Sequence, residues 1–224
     1  MRQATLQLLV DGWKDHPSIL PWLQERIQSA DSVTQQVALQ LLVDGWKDHP
    51  ETLPLLKSFA QSVDTKGMRY VAVLMLAKYW RDHPDSLPLL KSFAQSTDMG
   101  MLRKQAVQEL TKGWKDDPET LPLLKSFAQS DDDWAVRQAA VEELAEGWKD
   151  EPGMFEFLCD RAVNDPFERK EDWENNPRQL ALEIIIKQYR DRPDTLPLCK
   201  DRAEHDPDEK VREFVQKKLA ELEK

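Results

Sequence analysis

The sequence is short of several things at once. It holds two cysteines, Cys159 and Cys199, with no CxxC pair and no histidine close by in sequence, which excludes a disulfide framework or a zinc module. Glycine (7 residues) and tyrosine (3 residues) are scarce and β-branched runs are few, so the Leu-, Ala-, Gln-, Glu-, Lys- and Asp-rich remainder favours helix. No GxxxxGK[S/T] segment is present to cradle a phosphate. No apolar run approaches the ~20 residues of a spanning helix, and the opening Met1-Arg-Gln-Ala-Thr5 lacks the apolar core of a signal peptide. Positive charge is also in deficit: 31 Lys and Arg against 41 Asp and Glu give a net charge of -10. That balance argues against general affinity for nucleic acid or for an anionic membrane, and leaves basic partners open. We expect a soluble protein of a reducing cytoplasm that needs no cofactor.

What the sequence has in abundance is itself. A Trp-Lys/Arg-Asp-x-Pro signal recurs at Trp13–Pro17, Trp46–Pro50, Trp80–Pro84, Trp114–Pro118 and Trp148–Pro152, with a degenerate copy at Tyr189–Pro193. The aromatic residues are spaced 33, 34, 34 and 34 residues apart, then 41. Beyond each proline lies a second block, Glu51-Thr-Leu-Pro-Leu-Leu-Lys-Ser-Phe-Ala-Gln-Ser62, repeated almost unchanged at 85–96 and 119–130 and divergently from Ser18, Gly153 and Asp194. Self-similarity at this period is the signature of a stacked array.

Each unit reads as two helices. The short one begins with an acidic residue near the positive end of the helix dipole and carries proline in its first turn, where no hydrogen bond is lost. In the copy at 119–130, Leu121, Leu124, Phe127 and Ala128 form one helical face. In the longer helix Val136, Ala140, Val141, Leu144 and Trp148 form another, after the capping candidates Asp131 and Asp132. The Asp-x-Pro that follows the aromatic residue then forces the chain out of helix. The spacing predicts helices over 2–14, 18–29, 33–47, 51–62, 67–81, 85–96, 100–115, 119–130, 134–149, 153–163, 177–190, 194–204 and 208–222. Helices this short cannot hide their own stripes, so stacking on the next unit must do it. The fold class expected is all-α, an α-solenoid (superhelix) of about six two-helix repeats occupying 1–224 as one array. It begins mid-repeat, from which we expect a natural protein that continues upstream.

The block Val136-Arg137-Gln138-Ala139-Ala140, preceded by Asp131, resembles the second helix of a HEAT repeat. In that family an aspartate and an arginine about six positions on form a ladder along the stack. Asp131 with Arg137, Asp172 with Arg178, and Asp206 with Arg212 have this spacing. Asp64 with Arg69 and Asp98 with Arg103 are one residue short, and Gln35 stands where the first full unit would have the arginine. The fuller signature, Gly-Trp-Lys-Asp-Asp/His-Pro-Glu-Thr-Leu-Pro-Leu-Leu-Lys, is similar to HEAT-like arrays of cyanobacterial type, such as those of phycobilisome lyases and of C-terminal regions of NACHT or other STAND-class NTPases. That resemblance implies a sensor or protein-interaction arm.

Several residue types invite a chemical reading and are better explained structurally. His16, His49 and His83 occupy one column of the repeat. Equivalent positions in stacked helices lie roughly 8–10 Å apart, too far for one zinc bound at ~2 Å from each ligand. Asp117 and Glu151 take the same place in later units, so a surface turn is expected. The recurring Trp13, Trp46, Trp80, Trp114 and Trp148 close the apolar stripes and are expected as core wedges rather than stacking platforms. Neither cysteine has a histidine base, so no nucleophile is assigned. Cys199 is expected in the core and Cys159 partly exposed.

Two departures from the repeat could carry specificity. Ten and six residues before each aromatic residue stand Gln36 and Gln40, Tyr70 and Leu74, Lys104 and Gln108, Gln138 and Glu142, Gln179 and Glu183. Each pair lies one turn apart on one helix face, expected to line the concave surface, and its chemistry changes at every step. Tyr70 with Leu74 looks like an exposed anchor for a partner. The second departure is an extended loop at 164–177 in the fifth repeat, which brings Phe167, expected to tuck inward, and Trp173, either tucked or offered to a partner. The function expected is non-catalytic recognition of a protein or peptide by a monomeric array. It would be the C-terminal recognition arm of a larger signalling NTPase. The alternatives are a phycobilin lyase-like subunit binding a bilin or phycobiliprotein, and a structural scaffold.

Overall fold

A computed structural model describes Leu8, Gly12 and residues 16–29, 31–62, 66–95 and 100–222. The expected first helix at 2–14, with Trp13, and the ladder candidates Asp64 and Asp98 lie outside the described residues. Among the described residues the chain forms twelve α-helices and no strand. They fall into two compact units, Met1–Ser96 and Thr97–Lys224.

The first unit holds α1 (Ile19–Ile27), α2 (Ser32–Trp46), α3 (Thr52–Gln61), α4 (Lys66–Tyr79) and α5 (Ser86–Ala94). Short α1 packs on long α2, short α3 on long α4, α2 lies against α4, and α5 covers α4. The second unit holds α6 (Gly100–Trp114), α7 (Thr120–Ser130), α8 (Trp134–Gly147), α9 (Met154–Asn164), α10 (Pro177–Gln188), α11 (Thr195–His205) and α12 (Glu209–Leu222). Its long helices run as a row, α6 on α8, α8 on α10, α10 on α12, with α7, α9 and α11 each paired to the long helix that follows. Most of each predicted stripe is buried, with Leu121 of α7 only half-buried. Leu124, Phe127 and Ala128 of α7 face Val136, Ala140, Val141 and Leu144 of α8, all 7 % exposed or less.

The helix ends explain the repeat signature. In three of the turns after the long helices, a side-chain hydroxyl donates back to the carbonyl of the aromatic residue: Thr52 to Trp46 at 2.8 Å, Ser86 to Trp80 at 2.7 Å, Thr195 to Tyr189 at 2.7 Å. The hydroxyl joins the amide three residues on, from His49, His83 and Arg192, so each of these helix-end carbonyls has two donors. The histidine column also belongs to the turn. Nδ1 of His16, His49 and His83 accepts the amide two residues on, from Ser18 (3.3 Å), Glu51 (3.4 Å) and Asp85 (3.2 Å). Oδ1 of Asp117 accepts the Glu119 amide at 3.1 Å in the same way. His and Asp interchange there because the turn asks only for an acceptor.

One expectation about packing is corrected. Trp46, Trp80, Trp114 and Trp148 are half-buried rather than core wedges. Each stands at the last turn of its helix, where the stripe runs out beside the exposed turn, and the Lys115 ammonium lies 5.7 Å over the Trp148 ring. The cap of α8 also shifts. Asp133 accepts the Ala135 amide at 2.8 Å, while Asp131 is engaged elsewhere.

Candidate functional site

The strongest interactions in the second unit are three arginine–aspartate pairs, each joining a long helix to the turn one unit further along. Arg103 reaches Asp131 (Nη2–Oδ1 2.7 Å), Arg137 reaches Asp165 (Nε–Oδ2 2.8 Å), and Arg178 reaches Asp206 (Nε–Oδ2 3.1 Å). Each pair is two-pronged, since the second guanidinium nitrogen binds the second carboxylate oxygen. Arg137 and Arg178 also donate backward, to the carbonyls of Asp131 and Asp165, both at 2.8 Å. The aspartates in turn accept amides two residues on: Asp133, Phe167 and Asp208.

The ladder departs from the sequence expectation at one rung. Counting six back from Arg178 gives Asp172, but the rung is Asp165; Asp172 is on the surface, its side chain 97 % exposed and paired to Lys210 at 2.9 Å. The extra residues of the fifth unit loop out between the rung and its arginine. Counting forward finds the right residue, because Asp131, Asp165 and Asp206 each lie 11 positions beyond the first residue of their short helix, Thr120, Met154 and Thr195. The short helix sets the register and the insertion follows it.

That insertion, residues 165–176 between α9 and α10, is held by a dense polar net. Arg169 pairs with Asp208 (Nε–Oδ2 3.0 Å) and also donates to the Glu174 carbonyl. Glu174 accepts the amides of Lys170 (2.6 Å) and Glu171 (2.9 Å), and Asn176 donates to Asp208 at 2.8 Å. The Glu171 and Lys170 amides hold the Glu174 carboxyl below its usual value. Hydrogen bonding from Lys210 does the same for Asp172. At Asp208 burial pushes upward, yet bonds from Arg169 and Asn176 prevail and keep its carboxyl low.

Beside this loop a polar groove of ≈ 450 Å³ runs along α8 and α10. Its floor is Gln138 and Glu142 of α8 with Gln179 and Glu183 of α10, four of the ten face residues singled out in the sequence, and its rim is Asp172, Glu174, Asn175 and Lys210. Gln138 leans on Glu142 at 3.3 Å within α8. Lys104 and Gln108, half-buried on α6, do not line it.

In the first unit the face is less open than the sequence suggests. Gln36, Gln40, Tyr70 and Leu74 are all half-buried. Gln36 lies so close to Gly67 that a Cβ there would stand 2.7 Å from its amide nitrogen. Gln40 is tied to Asp44 at 2.8 Å. Tyr70 is not a free anchor: its ring packs 6.3 Å from Phe93, over which Arg69 also lies at 5.3 Å.

The loop aromatics separate. Phe167 tucks in, 5 % exposed and edge-on to Trp134 at 5.9 Å. Trp173 is 72 % exposed with its ring 6.5 Å from Trp134. Burial and the neighbouring Glu156 and Asp194 raise the Cys159 thiol to about 11, and burial raises Cys199, which is fully buried. Among the described residues no group of three or more His, Cys, Asp or Glu could hold a metal ion, and no helix is long and apolar enough to cross a membrane.

Two-helix units whose long helices stack in a row and are pinned by arginine–aspartate rungs define an all-α repeat solenoid. The family description "HEAT repeats" matches residues 19–111 and 100–172, most of the chain, and the protein belongs to the HEAT-repeat family. No curated protein matches it. Membership brings with it a protein-interaction or scaffold role.

Proposed function

We propose that the protein is a non-catalytic recognition module whose second unit binds a protein or peptide along the outward faces of α8 and α10. The observation that supports this is convergence. Gln138, Glu142, Gln179 and Glu183, chosen because their column varies while the short helices repeat, meet the one insertion of the array in a single groove. The loop beside the groove is fastened by the bonds of Arg169, Glu174 and Asn176, and residues held in place lose less entropy on binding. The sequence resemblance supports, as the setting, a recognition arm of a larger signalling NTPase of cyanobacterial type, acting in the cytoplasm as sensor.

A photo-crosslinking residue placed at Gln138 or Gln179, and in parallel at the exposed Ser126 of α7, tests the reading on partners captured from cell extract and then purified. Crosslinks from 138 and 179 but not from 126 are expected. Crosslinks from 126 alone place the contact on the short helices and overturn the reading in favour of a scaffold that uses its other side.

A further inference from the structure

We infer that Trp173 and the carboxylates around it form a docking point for a basic segment of a partner protein, with an arginine or lysine side chain laid on the exposed indole face. This site shares Asp172 and Glu174 with the rim of the groove along α8 and α10 but uses none of the residues on its floor.

A tryptophan 72 % exposed is unusual, and the loop does not leave it loose. Its ring lies tilted beside that of Trp134, at 6.5 Å and 54° between ring planes, and Trp134 meets buried Phe167 edge-on. Both neighbours of Trp173 in sequence are fastened, Asp172 to Lys210 and Glu174 to two loop amides. The indole is therefore presented in a fixed place, at little cost in side-chain freedom. Large rigid aromatics of this kind are where interface energy concentrates.

Charge selects the occupant. The adjoining hollow of ≈ 390 Å³ is lined by Asp131, Asp132, Glu168 and Glu174 against Arg137 and Lys170, and Glu171 and Asp172 precede Trp173 in the loop. Arg137 is paired with Asp165 and Arg169 with Asp208, as Asp131 is with Arg103 and Asp172 with Lys210; of the remaining charges Asp132, Glu168, Glu171 and Glu174 outnumber Lys170. The field beyond the ring is thus negative, in a chain whose net charge is -10. An aromatic face beside an excess of carboxylates attracts a cation twice over, through the ring quadrupole and through the local potential. An acidic or purely apolar segment gains neither. The insertion that creates this place occurs once in the array, so the repeat's own architecture does not account for it.

The test uses the whole chain and fluorescein-labelled peptides read by anisotropy: an alternating Arg-Ser octapeptide, the same peptide with citrulline for arginine, and an alternating Glu-Ser octapeptide. The arginine peptide should bind saturably, the other two at least about ten-fold more weakly. W173A should weaken the arginine peptide by about five-fold or more, and W173Y should restore most of the loss. Since Trp173 is exposed, both variants should melt with the parent, so a binding change is not a folding change. Equal binding by W173A and parent, equal binding of the citrulline peptide, or no saturation by about 1 mM overturns the inference. Substitutions at Gln138 and Gln179 should leave this binding unchanged, so failure here and failure of the groove are told apart.

Discussion

Arg137 and Asp165 stand 28 residues apart in sequence and meet through two parallel hydrogen bonds of 2.8 and 3.0 Å, with both side chains 5 % exposed or less. The same aspartate receives Arg178 on its backbone carbonyl, so one residue joins the long helices on either side of it. A buried charge that loses its partner is costly, about 3–5 kcal/mol. We therefore expect D165A to lower unfolding free energy by that amount in a denaturant titration. D172A, which removes the aspartate six before Arg178, should change it by less than about 0.5 kcal/mol. Comparable effects of the two would mean that the rung lies elsewhere.

The hydroxyls at the starts of the short helices offer a second comparison. Thr195 is buried and bonded to the Tyr189 carbonyl, whereas Thr120 in the equivalent place is buried with its hydroxyl unbonded. Replacing Thr195 by valine should cost about 0.5–1.5 kcal/mol, since the Tyr189 carbonyl loses one of its two donors and keeps the Arg192 amide at 3.1 Å. The same change at Thr120 should be neutral or slightly stabilising. Thermal melts of the two variants check this, and a larger loss at Thr120 would contradict it.

Half-burial sets the expectation for the signature tryptophans. A fully buried tryptophan truncated to alanine costs about 3–5 kcal/mol. Trp148 keeps one side open to solvent and to Lys115, so W148A should cost roughly 1–2 kcal/mol. An effect at the upper range would show that the ring is covered in solution.

The insertion should respond to acid. The Glu174 carboxyl is held below its usual 4.5 by the amides of Glu171 and Lys170. A depressed carboxylate contributes stability in full above the unfolded value and loses it as pH falls through the lower folded value. Asp172, bonded to Lys210, and Asp208, low in spite of burial through Arg169 and Asn176, are likewise held below their usual value. The indole N–H signal of Trp173, followed by NMR during acidification, should therefore move with a midpoint below 4.5, and E174Q should abolish that step. A midpoint above 4.5 would show that the amides do not hold the carboxylate.

Thiol chemistry should be slow. Thiolate is the reactive form, and burial beside Glu156 and Asp194 raises Cys159 to about 11, so its alkylation at neutral pH should lag far behind a free thiol and accelerate only in strong alkali. Cys199, fully buried, should react only after unfolding. Rapid labelling of native protein by a chromogenic disulfide would refute both statements.

How far each feature could be read in advance follows from its range along the chain. Helix positions came within two residues over the described chain because each stripe and each Asp-x-Pro stop is local. The histidine turns were equally legible, because the amide each caps is two residues away. Asp165 was missed because the rung joins residues on two helices, and an insertion lies between the aspartate and the arginine it precedes. Trp173 was undecidable in sequence, since its placement depends on Trp134 in another unit of the array.

The sequence by itself determined the repeat, its two-helix unit, the stripes each helix buries and the turn chemistry between them, because all of these act within a single 34-residue period. Only the tertiary structure decided which aspartate closes each rung, which members of the variable face share a groove, and which loop aromatic is hidden. Those outcomes depend on how side chains from successive units meet across a stack, and distance along the chain carries no record of that.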